Sequence, residues 1–234
     1  TVRGVKKSPG RFVAILIIIA IGCAFYAGLS AVSTDLKNSG WKYYREYALA
    51  DVQIKSTLGF NGDEIEKLSD GEHFDGGYAG YSADLLVENN GGQSAVTVLS
   101  YSPDQPLNKL YLMEGRLPEK AGECVADYDS MHKISFKIGD TVKLSADGDN
   151  DVADYLNQSE YTVVGLVKSP VYVSYERGST TIGTGSVSAF IYVPEENFAY
   201  DAYTDLYLSA TGAMDESVKP FSDEYNDIVA AAEE

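Results

Sequence analysis

The amino-acid sequence predicts an α+β protein in which one N-terminal transmembrane helix and its stalk precede a mixed outer domain. Three observations lead to this prediction. Residues 12–32 carry no charge, residues 33–234 hold 14 basic and 35 acidic residues for a net charge of −21, and short alternating segments dominate the rest of the chain. Strict alternation of apolar and polar residues is typical of a half-buried strand.

The uncharged stretch 12–32 is long enough to cross a membrane. As a helix its 21 residues rise about 31 Å, the thickness of the hydrocarbon core of a bilayer. The basic residues that precede it, in a segment 1–11 without acids, are Arg3, Lys6, Lys7 and Arg11. Because positive charge stays on the cytoplasmic side, we expect residues 1–11 in the cytoplasm and the chain after about residue 33 outside the cell. A cleaved signal peptide is the alternative, although its apolar region is usually only about 7–15 residues long.

The helix is expected to continue beyond the membrane as a stalk over residues 33–48. Inside the membrane, small residues recur at every fourth position, namely Ala20, Ala24 and Gly28. Such spacing lets another transmembrane helix approach closely, but small residues are also common in membrane helices for other reasons. Both chain ends look like cuts within a longer polypeptide, so we expect a cell-membrane protein with one or several passes.

The outer domain is predicted to have three parts. Residues 49–101 are expected to form a βαββ unit, with a short helix capped by Asn61 and a hairpin turn at Asn89-Asn90-Gly91-Gly92. Residues 102–194 read as a β-rich insertion of short alternating strands. Residues 195–234 supply a returning strand and a helix that would lead to a second transmembrane helix.

Several function classes are poorly supported by the composition. The net negative charge disfavours nucleic acid, whose phosphates need basic partners. Cys23 lies in the apolar helix and Cys124 in the outer domain, so we expect no disulfide. The common nucleophile and zinc-binding motifs are absent from the sequence. We therefore name no catalytic, cofactor-binding or metal-binding residue.

One acidic loop resembles a calcium site at first reading. Its carboxylates are those of Asp147, Asp149 and Asp151. A calcium loop of this kind requires Gly at its sixth position and Glu at its twelfth, whereas Val152 and Gln158 stand there. A solvated turn is the favoured interpretation, and weak cation binding is left open.

A series of short motifs, in a fixed order along nearly the whole chain, resembles the FtsX/MacB-type ABC transporter permeases, in particular their large Gram-positive form. The motifs are Ser8-Pro-Gly-Arg-Phe-Val-Ala-Ile-Leu, Tyr43-Tyr44, Leu49-Ala-Asp51-Val, Ser56-Thr-Leu-Gly59, Glu114-Gly-Arg116-Leu-Pro118, Glu123-Cys124-Val, Lys137-Ile-Gly139-Asp140, Tyr161-Thr-Val-Val-Gly165-Leu-Val-Lys-Ser-Pro170, Arg177-Gly-Ser-Thr and Phe190-Ile-Tyr-Val-Pro.

The resemblance implies more than the composition does. Such permeases have four transmembrane helices per repeat, and an α+β outer domain with a porter-like part and an inserted β-rich part lies between the first two. The permease is not an enzyme, since a separate cytoplasmic ATPase binds ATP, and this chain holds no cofactor. The implied partners are that ABC ATPase, a second permease repeat or subunit, membrane lipid, and a lipid, lipoprotein, peptide or drug as cargo. The positions expected to matter for architecture are Arg116, Gly139, Asp140, Gly165 and Pro170.

Two functional hypotheses follow. The preferred one is a permease subunit whose stalk transmits ATPase-driven motion to the outer domain, although the sequence lacks the second to fourth helices and a cytoplasmic coupling loop. The alternative is a membrane-tethered binding or sensing module that regulates a partner. An extracellular hydrolase comes third, because no arrangement of a nucleophile is visible.

Overall fold

The fold was described from a computed structural model, over residues 9–69, 73–89, 92–129, 134–215, 217–218 and 222–233. The chain divides into two compact units, before and after the boundary between Tyr43 and Tyr44. In chain order the elements are α1 (Pro9–Glu46), β1 (Val52–Phe60), α2 (Gly62–Ser69), β2 (Phe74–Gly80), β3 (Ser82–Asn89), β4 (Gly92–Tyr101), β5 (Tyr111–Gly115), β6 (Glu123–Asp127), β7 (Thr141–Ser145), β8 (Glu160–Lys168), β9 (Val187–Pro194), β10 (Tyr203–Ala210) and α3 (Asp223–Glu233), with 3-10 turns at Val152–Asp154, Pro170–Tyr172 and Glu195–Asn197.

Helix α1 is a single helix of 38 residues, which at 1.5 Å per residue is about 57 Å long. It includes both the predicted membrane segment 12–32 and the predicted stalk, and it ends at Glu46 rather than at residue 48. Pro9 occupies its start, where the missing N–H leaves no hydrogen bond unmade. Within the described chain this is the one helix long and apolar enough to cross a membrane. Of its basic flank only Arg11 lies among the described residues; Arg3, Lys6 and Lys7 do not.

Three strands form a small antiparallel sheet in the order β1–β10–β2. Helix α2, which lies between β1 and β2 in the chain, begins with the predicted cap: the Glu64 N–H donates to Asn61 Oδ1 at 3.0 Å, and the Asn61 N–H donates to Glu64 Oε2 at 2.9 Å. This reciprocal pair satisfies two otherwise unpaired helix donors. In this sheet the last strand of the outer domain, β10, lies between the first two strands, β1 and β2.

The other seven strands form a second sheet in the order β5–β8–β6–β9–β4–β3–β7. Strand β7 also pairs with β8 through residues 160–162, so six strands close into a barrel. Strand β5 pairs with the last part of β8, from Gly165 to Lys168. Alternate residues point inward and fill the interior, among them Leu85, Val98 and Ile191, all fully buried.

The expected βαββ unit over residues 49–101 is divided between the two sheets. Strands β1 and β2 belong to the small sheet, whereas β3 and β4 pair with each other and complete the barrel. The reason is apolar burial: the inward residues of β3 and β4 form one core with β6 and β9. The hairpin itself is confirmed by the register that ends at Asn89 opposite Gly92. Its turn residues, Asn90 and Gly91, lie outside the described part of the chain.

Tyrosines from both sheets meet in a buried layer. The rings of Tyr78 and Tyr207 in the small sheet stack with their centroids 4.9 Å apart. Burial raises the pKa of Tyr192 in β9 well above its usual value, and the neighbouring Tyr172 and Tyr78 raise it further. Tyr78 of the small sheet therefore lies near enough to Tyr192 of the barrel to affect its ionisation.

A fully buried carboxylate, that of Asp205 in β10, also joins the two sheets. It accepts hydrogen bonds from Gln53 Nε2 at 2.8 Å, from Ser82 Oγ at 2.5 Å and from Thr204 Oγ1 at 2.8 Å. Lys55 Nζ lies 3.4 Å from it and supplies the opposite charge. A buried charge is tolerated only when it is paired and hydrogen-bonded in this way.

Helix α3 lies within residues 195–234, the segment in which a terminal helix is predicted. Its start is capped by Ser222 Oγ, which accepts a hydrogen bond from the Tyr225 N–H at 3.2 Å.

The pairing of β5 with β8 requires a residue without a side chain at position 165, and this requirement can be tested. A Cβ at this position would lie 2.3 Å from the backbone oxygen of Arg116, and backbone cannot move aside as a flexible side chain can. We predict that Gly165→Ala lowers the free energy of unfolding by about 2–3 kcal/mol, measured by urea denaturation of the full chain in detergent. Gly62→Ala is the matched control, since no atom lies within 4 Å of its added Cβ. Equal stability of the two variants would contradict this account of the pairing.

Candidate functional site at the two ends of the outer domain

The first part of the site is the segment 44–51, named here the N-terminal link, which carries the chain from α1 into β1. The Leu49 N–H donates to the Tyr44 carbonyl at 2.9 Å, and the Ala48 N–H donates to the Arg45 carbonyl at 3.3 Å. Ala48 has a positive φ of 48°. This combination is a Schellman motif, which ends a helix sharply and satisfies its last carbonyls. Backbone hydrogen bonds therefore define the point at which α1 ends.

The loop before β5 holds the N-terminal link from one side. The Asn108 N–H donates to the Ala48 carbonyl at 2.7 Å, and the Lys109 N–H donates to the Tyr47 carbonyl at 2.8 Å. Asn108 Oδ1 also accepts the Ala50 N–H at 3.0 Å. Its amide nitrogen donates to the hydroxyl of Tyr78 in β2 at 3.3 Å. Asn108, only 1% exposed, thus joins the link to the small sheet.

Asp51, the last residue of the link, forms hydrogen bonds with β10 and α3 at the C-terminal end of the outer domain. Its N–H donates to the Leu208 carbonyl at 2.9 Å, and its Oδ2 accepts the Ala210 N–H at 2.9 Å. Its Oδ1 accepts the hydroxyl of Tyr225 in α3 at 2.8 Å. Asp51, the residue just before the first strand, therefore contacts the last strand and the last helix of the outer domain through one carboxylate.

The pKa values of Asp51 and Tyr225 reflect their burial and their contact with each other. Burial raises the pKa of its carboxyl group, while the hydrogen bonds from Tyr225, Ala210 and Ser209 act in the opposite direction. Burial also raises the pKa of Tyr225, and the Asp51 carboxylate raises it further. The phenol consequently remains protonated and serves as the donor of the pair. On the other side of the link, the Arg45 guanidinium donates to the carbonyl of Met214.

The architectural positions predicted from the family resemblance lie in or next to β5, β7 and β8. Arg116 forms a bidentate pair with Glu123, with Nη1 and Nη2 at 2.7 and 2.5 Å from its oxygens. Gly165 allows β5 to approach β8. Gly139 and Asp140 form the turn before β7, where the Gly139 N–H donates to the Val163 carbonyl at 2.8 Å. Pro170 is buried and begins a 3-10 turn.

The other predicted positions are placed as follows. Ala20, Ala24 and Gly28 are exposed on α1. Asp151 caps the 3-10 turn Val152–Asp154 by accepting the Ala153 N–H at 3.1 Å. In the described part of the chain no group of three or more His, Cys, Asp or Glu could hold a metal ion.

Sequence reasoning missed the contacts that Asn108 and Tyr225 make with the N-terminal link. For Asn108 the residue type was one weak indication of a turn, because Asn tolerates the positive φ of 54° that it adopts. For Tyr225 there was no indication, since its partner lies 174 positions earlier in the chain. The buried pair of Arg177 and Asp127, with Nε and Oδ2 2.6 Å apart, was likewise invisible in the sequence.

The chain matches the MacB-like periplasmic core domain family over residues 12–231. It therefore belongs to that family, as the periplasmic-type domain of an ABC transporter permease with an N-terminal apolar helix.

Two solved structures are similar. The extracellular domain of the noncanonic ABC-type transporter YknZ from Gram-positive bacteria shares 13% identity at a TM-score of 0.40, with 68% of this chain and 76% of that chain covered. The periplasmic region of MacB from Actinobacillus actinomycetemcomitans shares 11% identity at a TM-score of 0.38, with 76% and 75% covered. A comparison with curated proteins finds no match.

The contact between Asp51 and Tyr225 can be tested by removing one hydroxyl. We predict that Tyr225→Phe lowers the free energy of unfolding by about 2 kcal/mol, because a partly buried carboxylate loses a hydrogen bond. Urea denaturation of the full chain in detergent, followed by circular dichroism, measures the change. Tyr128→Phe, which alters a ring 40% exposed, should cost less than about 0.5 kcal/mol. A loss no greater for Tyr225→Phe than for this control would contradict the proposed contact.

The pair of Arg116 and Glu123 predicts a pH dependence. The hydrogen bonds from the Arg116 guanidinium lower the pKa of Glu123 from its ordinary 4.5 to about 2. Because the folded pKa is the lower one, the ionised carboxylate stabilises the fold above pH 4.5, and this contribution is lost as the pH falls from 4.5 to about 2. Glu123→Gln should therefore lower Tm at pH 7 and flatten its fall below pH 4.5. Glu160→Gln, which removes an exposed partner of Lys143, is the control, and a Tm profile identical to that control would refute the prediction.

Proposed function

We propose that this chain forms the first transmembrane helix and the outer domain of a permease subunit that transmits motion from a separate cytoplasmic ATPase. The transmitted motion would serve to export or release a lipid, lipoprotein, peptide or drug. Membership of the MacB-like periplasmic core domain family supports the permease part of the proposal. The observation that carries the mechanical part is the unbroken course of α1 from Pro9 to Glu46, directly followed by the hydrogen-bonded N-terminal link.

A continuous helix suits this role for a physical reason. Each backbone N–H within it is bonded to the carbonyl four residues earlier, so bending the helix sharply would break several bonds at once. A flexible linker would absorb the same displacement. At about 57 Å the helix is longer than the roughly 30 Å hydrocarbon core. In the proposal, the part of the helix that extends beyond the membrane transmits tilting of the membrane segment to residues 44–51.

Helix α3 is expected to connect the outer domain back to the membrane. Asp51 contacts Tyr225 in that helix, so a displacement of the N-terminal link would also displace the start of α3. We propose that α3 leads to a second membrane helix and that the two helices move together. The remaining expected partners, a second permease repeat or subunit and membrane lipid, belong to the same proposal. This chain itself would bind no cofactor, because ATP would act on the partner ATPase.

The stalk can be tested by changing its helix propensity without changing its length. Residues 38–40 are Asn, Ser and Gly. One variant combines Asn38→Gly with Ser39→Gly, and its partner combines Asn38→Ala, Ser39→Ala and Gly40→Ala. Gly disfavours a helix interior by about 1 kcal/mol per residue relative to Ala. We predict that the Gly variant hydrolyses ATP without moving the outer domain, whereas the Ala variant keeps both activities.

Movement can be measured on the full-length permease with its ATPase in lipid nanodiscs. A fluorophore at Leu58→Cys, a position 93% exposed, transfers energy to acceptors on lipid headgroups, and its distance from the membrane should change on ATP addition. Cys124 is buried and its pKa is raised to about 12, so it will not react with the label, and Cys23→Ala removes the other thiol. If the Gly variant moves as the Ala variant does, the stalk does not transmit the motion. If ATP moves neither variant nor the parent, a tethered sensing module is the better description.

A further inference from the structure

A cavity of about 910 Å³ lies on the barrel where β4 and β9 end. These strands are parallel neighbours, with Tyr101 opposite Pro194. The segment 116–119 that follows β5 also lines it. This volume lies within the range of about 300–1,000 Å³ found for ligand sites, and we call the cavity the β4–β9 groove.

Apolar and aromatic side chains supply most of the groove's surface, in particular Tyr81, Tyr101, Leu112, Leu117 and Phe198. The ring of Tyr81 stacks on that of Phe198 at 5.2 Å and on that of Tyr203 at 4.6 Å. Because neighbouring rings hold the Tyr81 ring from two sides, the groove is formed before any ligand arrives.

The groove offers few hydrogen-bond donors. Three of its residues, Pro103, Pro118 and Pro194, have no backbone N–H to offer. The cation in its wall, Arg116, is occupied by Glu123 at 2.7 and 2.5 Å and by the Leu117 carbonyl at 3.1 Å.

Three backbone donors beside the groove are also occupied. The Glu119 N–H donates to Glu123 Oε2 at 3.1 Å. The Phe198 N–H donates to the Glu195 carbonyl at 3.1 Å. The Ser102 N–H faces Gln105 Oε1 at 3.4 Å. These charged and backbone donors are therefore engaged within the protein, and the other donors in the lining include the hydroxyls of Tyr101 and Ser102.

Acceptors, in contrast, are plentiful. The carboxylates of Glu119, Glu195 and Glu196 line the groove, and the side chain of Glu119 is 77% exposed. Glu195 also accepts the Tyr203 hydroxyl at 3.1 Å. Carboxylates beside aromatic rings form a surface that attracts ammonium and guanidinium groups, through ion pairing and through the ring faces.

We propose that the β4–β9 groove binds a short cationic peptide that carries both lysine or arginine and apolar side chains. The apolar residues would contact the rings and leucines, and the cationic groups would pair with the three glutamates. A peptide fits the size better than a folded protein does, because a standard protein interface involves about 20–30 residues on each side. The net charge of −21 over residues 33–234 would speed the approach of such a peptide. The inference rests on the proposed function only in requiring that the domain lie outside the cytoplasm.

Three fluorescein-labelled hexapeptides test the chemistry: alternating lysine and leucine, alternating glutamate and leucine, and alternating lysine and serine. Fluorescence anisotropy measures their binding to the full chain in phosphatidylcholine nanodiscs, at 0.15 M salt and without ATP. The lysine–leucine peptide should bind at least about tenfold more tightly than either of the others, since both pairing and apolar contact are needed. Equal binding of the three peptides, or equal binding to empty nanodiscs, would overturn the proposal.

Two double variants with the same change of charge locate the site. Glu119→Gln with Glu196→Gln removes two carboxylates from the groove and should weaken binding about tenfold. Glu66→Gln with Glu88→Gln removes two carboxylates from α2 and β3 and should change binding less than about twofold. A third variant, Leu112→Ser, should weaken binding severalfold by reducing the apolar surface. Equal losses in the two double variants would mean that net charge alone attracts the peptide, which would refute the groove as its site.

Failure of this proposal can be told apart from failure of the mechanical one. The stalk variant with Asn38→Gly and Ser39→Gly leaves the groove unchanged, so it should bind the lysine–leucine peptide as the parent does. Thermal unfolding of each groove variant verifies that it is folded. A stalk that transmits no motion together with a groove that binds the peptide would leave the present inference intact.

Discussion

The position of β10 between β1 and β2 is the constraint on which the rest of the outer domain depends. If the domain lies between two membrane helices, as proposed, both of its ends continue toward the membrane and should lie near each other. The antiparallel pairing of β10 with β1 meets that requirement. The carboxylate of Asp51 then joins the first strand to the last strand and to α3. Force arriving at the N-terminal link would therefore act on both ends of the domain together.

The two parts of the outer domain are held by different kinds of interaction. The barrel has a continuous apolar core, which is favourable but not directional. The ends of the domain and the contact between the sheets are instead fixed by buried polar groups, among them Asp51, Asn108 and Asp205. Hydrogen bonds to such groups are directional and costly to leave unmade. The barrel thus provides stability, while the polar contacts fix the orientation of the segments that would move.

Features set by short stretches of sequence could be predicted, and those set by distant pairing could not. The uncharged run predicted α1, and Asn61 predicted the capped start of α2. The division of residues 49–101 between two sheets depends on β10, about 150 residues further on, because Gln53 pairs with Tyr207. Asn108 and Tyr225 matter for what they contact in space, so their types and local patterns carried little information. Gly165 was expected to matter for architecture from a family resemblance alone, and its close approach to the backbone of Arg116 is visible only in the structure.

Native-state hydrogen exchange of the full chain in detergent tests most directly whether the two ends of the outer domain form one unit. The informative amides are those of Asp51, Lys109 and Ala210, which donate to Leu208, Tyr47 and the Asp51 carboxylate. If the polar contacts hold these segments together, the three amides will exchange with the same opening free energy and the same dependence on denaturant. Exchange of Lys109 or Ala210 at a much lower opening free energy than Asp51 would contradict the account.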